Sequence, residues 1–329
     1  METIRWGIVG AGRMAGAFSE DFAFAPGAEL TAVAARDLGR AEEFAARHRI
    51  PEAHGDYRSL LESEVDVVYV ANTHPQHRDV ALAAIEAGKA VLVEKSFTAT
   101  LAGAQQVVAA AREAGVFAME AMWTRFLPAF AAAREVVAWG RIGEVLGVSG
   151  DLCAYRAYDP TDRLWAPELG GGAVLDLGVY VVSAAQAFLG ESRQVTCTGR
   201  LAPNGVEAAA SINIGYASGA TASLVCGFDV HGAGRFTVHG TKGWIEIHPR
   251  FHHPTTISIH RSGVLPRIIE AKQDGRGYAH EILEVGDCLR AGRTESEVMP
   301  LSDTVEVMKV LDECLTQLGR RVEEADLGL

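Results

Sequence analysis

Paired cysteines are missing from this sequence. Its five cysteines are an odd number, and no two of them form a C-x-x-C motif. We therefore expect scattered free thiols in a reducing compartment and no disulfide framework. The first residues show no basic segment followed by a long apolar segment, so no secretory signal is expected. The expected compartment is the cytoplasm.

Long apolar runs and clusters of basic residues are also missing. No stretch approaches ~18 uncharged apolar residues, the length that a membrane-spanning helix needs. The formal net charge is −12, and no run of Lys and Arg offers a local basic surface. Because nucleic acids and anionic membranes bind clustered cations, we expect neither as a partner.

The chain has 329 residues, which is too long for one ordinary core, so two domains are expected. Residues 1–121 alternate short apolar runs with helical patterns, which indicates a doubly wound parallel α/β sheet, a Rossmann domain. The predicted strands are Ile4–Val9, Leu30–Ala35, Val65–Ala71, Val91–Val93 and Val116–Met119. The predicted helices are Met14–Phe24, Leu38–His48, Asp79–Ala87 and Leu101–Ala114.

Residues 122–329 have a different pattern and are expected to form a substrate and dimerisation domain. Strand-like segments from Val195 to His260, separated by turn residues, predict an antiparallel or mixed sheet in an α+β domain. The remaining predicted elements are a strand at Val145–Cys153 and helices at Pro128–Trp139, Ala173–Phe188, Tyr278–Ala291 and Ser302–Leu318.

A glycine motif follows the first strand. Gly10-Ala11-Gly12-Arg13-Met14-Ala15 fits G-x-G-x-x-[G/A] at a strand–turn–helix position. Gly10 permits the tight turn, Gly12 permits close approach of a pyrophosphate, and the helix N-terminus supplies N–H groups. The position of the motif favours dinucleotide binding over a structural glycine turn.

The end of the second strand predicts which nicotinamide cofactor is bound. An acidic residue there hydrogen-bonds a ribose 2′-hydroxyl, whereas an arginine pairs with a 2′-phosphate. Arg36 comes first and Arg40 lies one turn further on, so NADP is favoured and NAD is the second choice. The alternative is that Arg36 is a surface residue and Asp37 caps the next helix.

Two further segments suggest catalysis. Lys95 follows the fifth strand, at the carboxyl end of the sheet where ligands of α/β proteins bind. Asp176 and Tyr180 are four residues apart on a predicted helix, after a triple glycine at 170–172. A phenol can exchange a substrate proton, and a lysine charge can lower the pKa of that phenol. The alternatives are a solvated lysine, a helix-start aspartate and a core tyrosine.

The histidines form no convincing metal site. His74 and His77 lie in a loop after the third long strand, with Asn72 and Thr73, but no carboxylate or cysteine completes a ligand set nearby. They are expected to line a nicotinamide pocket or to cap the following helix. His252 and His253 lie in a polar loop and are expected at the surface.

These motifs together resemble the Gfo/Idh/MocA oxidoreductase family. The similarity is carried by GIVGAGRMA, the Thr-His-Pro-x-His loop, Glu-Lys after the fifth strand and Asp-x-Gly-x-Tyr. The segments HPQHRDVALAAIEAGKAVLVEKSF, MEAMWTRFLP, GGGAVLDLGVY and HGTKGW look closer still to dimeric dihydrodiol dehydrogenases and NADP-linked D-xylose dehydrogenases. The resemblance covers nearly the whole chain.

The resemblance implies a Rossmann domain followed by an open-faced, largely antiparallel sheet, and a homodimer formed through the C-terminal sheet. It implies catalytic roles for Lys95, Asp176, Tyr180 and His77. The substrate-side residues would be Trp123, Arg125, Phe126 and Tyr180. The cofactor residues are expected to be Gly10, Gly12, Arg13, Met14, Arg36, Asn72, Thr73, His74, Glu94 and Lys95.

One position departs from the family pattern. The usual motif is Glu-Lys-Pro, often with an unusual peptide geometry before the proline, and here Ser96 replaces the proline. Because a cis bond before a residue other than proline costs ~3 kcal/mol, the Lys95–Ser96 bond is expected to be trans.

The functional hypothesis is hydride transfer between NADP(H) and a CH–OH group of a sugar, polyol or vicinal diol. Tyr180 would exchange the hydroxyl proton, Lys95 would depress its pKa, and Asp176 would orient the site. The alternative is a non-catalytic NAD(P)-binding sensor or regulator of the same fold. Retention of all three residues argues against it, and Ser96 is the one feature in its favour.

Overall fold

The computed structural model describes residues 2–329, which pack into two units. Of the described residues, the first unit contains 2–123, 274–304 and 323–329, and the second contains 124–273 and 305–322. Segments from the end of the chain therefore pack with the N-terminal residues. The functional division between residues 121 and 122 stays a prediction.

The first unit is built on a six-stranded parallel sheet with strand order β3-β2-β1-β4-β5-β6. This is the order of a doubly wound dinucleotide-binding fold, in which ligands bind beyond the carboxyl ends of the strands. The predicted Rossmann fold is confirmed. The strands are β1 Ile4–Val9, β2 Ala28–Ala34, β3 Glu52–His54, β4 Val67–Val70, β5 Ala90–Glu94 and β6 Ala118–Ala121.

Local signals set the ends of several helices in this unit. Asp37 caps one helix through the backbone N–H of Arg40, and Thr100 caps another through the N–H of Gly103. Gly115 ends the latter in the left-handed conformation, which glycine adopts readily. The helices are α1 Arg13–Asp21, α2 Leu38–His48, α3 Tyr57–Leu61, α4 His74–Glu86, α5 Leu101–Ala114 and, later in the chain, α8 Ala279–Arg290.

The second unit is built on an eight-stranded sheet with strand order β14-β13-β12-β11-β7-β10-β9-β8. All neighbours are antiparallel except β7 and β10, so the predicted largely antiparallel sheet is confirmed. Buried and exposed residues alternate along β10, so one face is covered and the other is open. The strands are β7 Val145–Cys153, β8 Ser192–Leu201, β9 Glu207–Tyr216, β10 Thr221–Gly227, β11 Phe236–Gly240, β12 Gly243–Ile247, β13 Thr256–Arg261 and β14 Val264–Glu270.

Two helices of this unit matter for the site. Helix α6 spans Pro128–Ala138, and α7 spans Val179–Leu189 directly after a π-helical turn at Val174–Gly178. The final helix, α9, spans Leu301–Gln317, and the division between the units falls within it. Pi-helical turns are rare and occur often at functional sites, so the entry to α7 is a notable position.

Several sequence-based boundaries were wrong. Helix α4 begins at His74, not Asp79, because Pro75 is well suited to a first helical turn. Strand β3, helix α3 and strand β14 were not predicted. The first two are very short, and β14 is exposed along most of its length, so it lacks the apolar alternation of a half-buried strand.

One segment of residues 2–329 is apolar and long enough to cross a membrane by length and composition, namely Pro167–Leu189. Two thirds of its most apolar stretch, 67%, is buried inside the protein, as in a core helix. This is weak evidence for a membrane span. All five cysteines are free, as predicted.

Candidate active site

The glycine turn between β1 and α1 has the features of a dinucleotide cradle. Gly10 has φ +109°, and a Cβ there would lie 2.8 Å from the Ala71 carbonyl oxygen, so only glycine fits. Gly12 is the N-cap of α1, has open space around its α-carbon and forms no side-chain cap. The first-turn N–H groups of α1 are thus uncapped by side chains and suit an anion such as a pyrophosphate. Arg13, which follows, is exposed, and Met14 is half-buried.

The carboxyl end of β2 presents exposed arginines. Asp37 Oδ1 accepts a hydrogen bond from the Arg40 backbone N–H at 2.9 Å, so this carboxylate serves as the α2 cap. The side chains of Arg36 and Arg40 are exposed. Their positive charges act on the hydroxyl of Tyr57, although burial dominates and raises the pKa of Tyr57. Two cations therefore lie at the strand end where the cofactor ribose binds in this fold.

His77 connects two loops at the carboxyl edge of the first sheet. Its Nδ1 lies 2.9 Å from the Ser96 carbonyl oxygen and its Nε2 lies 3.2 Å from that of Asn72. Burial lowers the pKa of His77 to about 4, so the ring is neutral at pH 7. A neutral ring carries one N–H, so His77 donates to one of these carbonyl groups and packs against the other. A catalytic role for His77 stays a prediction. The nearby Thr73 and His74 begin α4, with the His74 ring 5.7 Å from that of His77.

Lys95 stands at the carboxyl end of β5, as predicted, and it is half-buried. Its backbone N–H donates to Glu94 Oε2 at 3.2 Å, and Glu94 Oε1 accepts a short hydrogen bond from the Tyr69 hydroxyl. The expectation of a trans bond between Lys95 and Ser96 was wrong, because the bond is cis. Ser96 is fully buried, and its carbonyl oxygen lies 2.9 Å from His77 Nδ1.

An aromatic pair, Trp123 and Tyr278, lies beside the glycine turn. The sequence predicted Trp123 as a site residue but not Tyr278. The rings of Trp123 and Tyr278 stack with centroids 4.5 Å apart, and the Tyr278 hydroxyl lies 3.9 Å from Met14 Sδ. Asp21 at the end of α1 accepts hydrogen bonds from the backbone N–H groups of Arg276, Tyr278 and Ala279. Helix α8 had been predicted only as a closing helix, because nothing local links Tyr278 to α1.

In the second unit, Asp176 lies in the π-helical turn and Tyr180 lies in the first turn of α7. Asp176 Oδ1 accepts a hydrogen bond from Arg163 Nη2 at 3.1 Å. The Tyr180 side chain is 8% exposed, and its ring centroid is 5.3 Å from that of His252. The predicted surface position of His252 was wrong, because the ring is half-buried against Tyr180. Arg163 and His252 are additional candidate residues without any local sequence signal.

Arg125 is a buried residue of the second unit. It is 2% exposed, and it donates to the Ser183 hydroxyl and carbonyl, both at 2.9 Å, and to Gln186 Oε1 at 2.6 Å. These bonds join Arg125 to α7, the helix of Tyr180. A direct substrate contact by Arg125 stays a prediction, as it does for the half-buried Phe126.

No group of three or more His, Cys, Asp or Glu side chains in the described part of the chain is arranged to hold a metal ion. The candidate groups are instead an uncapped glycine turn, a lysine at a strand end and a helix with an acid and a phenol. A Rossmann unit joined to an open-sheet unit with these groups defines a class, the two-domain nicotinamide-dependent dehydrogenases.

Comparisons with known proteins give the family. Residues 4–122 match the description "Oxidoreductase family, NAD-binding Rossmann fold", and residues 130–246 match "GFO/IDH/MocA C-terminal domain". The chain is 35% identical over 326 residues to the trans-1,2-dihydrobenzene-1,2-diol dehydrogenase of Mus musculus, covering 96% of this chain and 97% of that one. The chain belongs to the Gfo/Idh/MocA oxidoreductase family.

Solved structures agree with this assignment. An aldose–aldose oxidoreductase from Caulobacter crescentus, complexed with glycerol, is 26% identical with a TM-score of 0.87 over 98% of this chain and 100% of that one. A 3-ketoreductase from Actinomadura kijaniata, in complex with NADP, is 25% identical with a TM-score of 0.84 over 99% and 100%. The chain is an NAD(P)-dependent dehydrogenase.

Proposed function

We propose that this dehydrogenase transfers a hydride between NADP(H) and a CH–OH group of a vicinal diol, sugar or polyol. The activities by which its relatives are named, a dihydrobenzenediol dehydrogenase and an aldose oxidoreductase, support this substrate class. When bound, the cofactor supplies hydride chemistry at C4 of its nicotinamide. The protein supplies binding, orientation and proton transfer.

The proposal assigns one role to each candidate residue. Tyr180 takes the hydroxyl proton of the substrate while the hydrogen on the substrate's carbinol carbon leaves as hydride. The carbinol thereby becomes a carbonyl. In this mechanism the positive charge of Lys95 would favour the phenolate form of Tyr180, as the family resemblance implies. Asp176, held by Arg163 at 3.1 Å, orients the reacting groups. Trp123 supplies an apolar substrate contact.

The observation that carries the proposal is the helix entry of the second unit. An acid and a phenol occupy its first turns, and the acid is fixed by a guanidinium from a separate loop. A helix that served only packing would have no need of this polar arrangement near a nearly buried tyrosine.

Replacement of Lys95 tests this proposal. Lys95→Met removes the charge and retains an unbranched side chain, so kcat with saturating NADP should fall about 100-fold or more. The substrates tested should be pentoses, hexoses, inositols and dihydrodiols, each with NADP and with NAD. Lys89→Met is the matched control, because Lys89 precedes the same strand and donates to the Ser63 carbonyl. Unchanged turnover in Lys95→Met, or cofactor binding by the wild-type protein without turnover of any substrate, would contradict the proposal.

The preference for NADP is supported by Arg36 and Arg40. Since Asp37 caps α2, the exposed group offered at this strand end is cationic and suits a 2′-phosphate. The double replacement of Arg36 and Arg40 by Ala should raise the KM for NADP roughly 10- to 100-fold and leave that for NAD nearly unchanged. Arg47→Ala, also on α2, is the control. Equal effects on both cofactors would refute the preference.

We also propose a homodimer formed through the open face of the second sheet, in a reducing cytoplasm. The face carries Trp244, 43% exposed and stacked on His260 at 4.6 Å. Trp244→Glu should yield monomers in light scattering, because burying an unpaired carboxylate in the dimer interface costs free energy. Trp139→Glu, at another exposed tryptophan, should not. A monomeric wild type would refute this proposal.

A further inference from the structure

Glu207 is a buried carboxylate to which neither the sequence motifs nor the proposed chemistry assigns a role. It is the first residue of β9 and is fully buried. A carboxylate is almost never fully buried unless other groups compensate it. Its neighbours therefore indicate why the chain retains it there.

The carboxylate of Glu207 packs against the glycine loop that precedes α7. Its Oε1 accepts a hydrogen bond from the Val174 backbone N–H at 3.3 Å. A Cβ on Gly172, which has φ +135°, would overlap the Glu207 carboxylate. Gly172 is thus required both by its backbone conformation and by this close approach.

The same loop supports Asp176. The Gly172 carbonyl accepts a hydrogen bond from the Asp176 backbone N–H at 3.2 Å, and its N–H donates to the Leu164 carbonyl at 2.9 Å. Leu164 follows Arg163, whose guanidinium binds the Asp176 carboxylate. Through this loop, Glu207 therefore supports both the backbone of Asp176 and the position of Arg163, its counterion.

Arg320 forms an ion pair with the other oxygen of the Glu207 carboxylate. Its Nε lies 3.6 Å from Glu207 Oε2, and its side chain is 13% exposed. The Arg320 backbone N–H donates to the Leu315 carbonyl at 2.9 Å, which fixes the end of α9. Residues 33 and 113 positions apart from Glu207 thus meet at one carboxylate.

We propose that Glu207 is a positioning residue, which holds the glycine loop and the first turns of the helix so that Asp176 and Tyr180 keep their working orientation. The effect on turnover rests on the proposed function, whereas the effect on the loop does not. Glu207 acts on these residues through its contacts with Val174 and Gly172.

Ionisation of Glu207 should therefore influence turnover. Burial raises the pKa of Glu207 to about 7, against the opposing effects of Arg320 and the Val174 N–H. Other titratable groups facing it are Cys226 on β10 and Cys197 on β8. Burial raises the pKa of Cys226 well above its ordinary value, so that thiol stays neutral. The Arg320 charge remains as the partner that favours the ionised carboxylate.

Amide hydrogen exchange tests the positioning without reference to activity. Glu207→Ala should speed exchange of the backbone amides of residues 172–180 about tenfold or more, because their support is removed. Glu306→Ala is the matched control. Glu306 is also a buried carboxylate, which accepts from the Ser192 N–H at 2.8 Å and pairs with Lys309 at 3.1 Å, but it lies at the far end of α7. Unchanged exchange of residues 172–180, or equal acceleration in both variants, would overturn the proposal.

Kinetics test the consequence. With NADP, Glu207→Ala should lower kcat about 10- to 100-fold with the KM for NADP unchanged, and Glu207→Gln, which retains an acceptor, should recover most of the loss. In the wild type, kcat should fall at low pH as Glu207 becomes protonated. Arg320→Gln should shift this fall about one pH unit higher, and Glu207→Gln should remove it. If Glu207→Ala does not fold, the test uses Glu207→Gln and Arg320→Gln. A pH profile of kcat that is unchanged on its acid side in both variants would overturn the proposal. Absence of wild-type turnover would refute the proposed function, and hydrogen exchange would then decide about Glu207.

Discussion

Replacement of Glu207 by glutamine should change the pH dependence of stability with a predictable sign. The folded protein raises the pKa of Glu207 from 4.5 to about 7 because the side chain is buried. Between these values the folded state binds more protons than the unfolded state, so the free energy of unfolding falls as pH rises. Glutamine does not titrate, so the variant lacks this loss.

The magnitude follows from the shift. One pKa unit corresponds to about 1.4 kcal/mol, so a shift from 4.5 to about 7 corresponds to about 3 kcal/mol in full. About 2 kcal/mol of this develops between about pH 5.5 and about pH 8. Relative to wild type, the free energy of unfolding of Glu207→Gln should therefore rise by about 2 kcal/mol over that range. The loss of the Arg320 pair adds an offset.

Urea unfolding, followed by circular dichroism at four or five pH values, measures this difference. The first unit serves as an internal reference if the two units unfold separately, because Glu207 lies in the second. A difference between Glu207→Gln and wild type that stays constant within about 0.5 kcal/mol, or that falls with pH, would refute the reasoning about a buried, proton-binding carboxylate.

Three further predictions concern other contacts. Arg163→Met should raise the KM of the diol or sugar several-fold and leave the KM of NADP unchanged, because it releases the Asp176 carboxylate. Gly10→Ala should abolish NADP binding in fluorescence titrations, because its Cβ would lie 2.8 Å from the Ala71 carbonyl oxygen. Asp21→Ala should lower the free energy of unfolding by about 3 kcal/mol in urea, because the N–H groups before α8 lose a buried acceptor.

Each of these predictions has a control. Arg156→Met, in the same region as Arg163, should leave both KM values unchanged, since that guanidinium binds only the neighbouring Tyr155 carbonyl among the described contacts. Gly88→Ala also has a positive φ, +71°, but open space around it, so it should cost stability and spare NADP binding. Glu43→Ala removes an exposed ion pair and should cost less than about 1 kcal/mol.

The elements with strong local signals were predicted well. Helices α2 and α5 begin after the capping side chains of Asp37 and Thr100, and both sets of bounds agree with prediction. Strand β1 also has the predicted bounds, because a short apolar run followed by a glycine turn leaves few alternatives. The family motifs led to the correct family and enzyme class.

The sequence alone determined the order of the longer elements in the first unit, the glycine turn, and Lys95, Asp176 and Tyr180 as candidate site residues. Only the tertiary structure decided that His252 packs on Tyr180, that Arg163 binds Asp176, and that Glu207 supports the glycine loop. Sequence signals such as capping residues and apolar periodicity act between residues that are close in the chain. These contacts join residues 13 to 72 positions apart, and only packing brings such residues together.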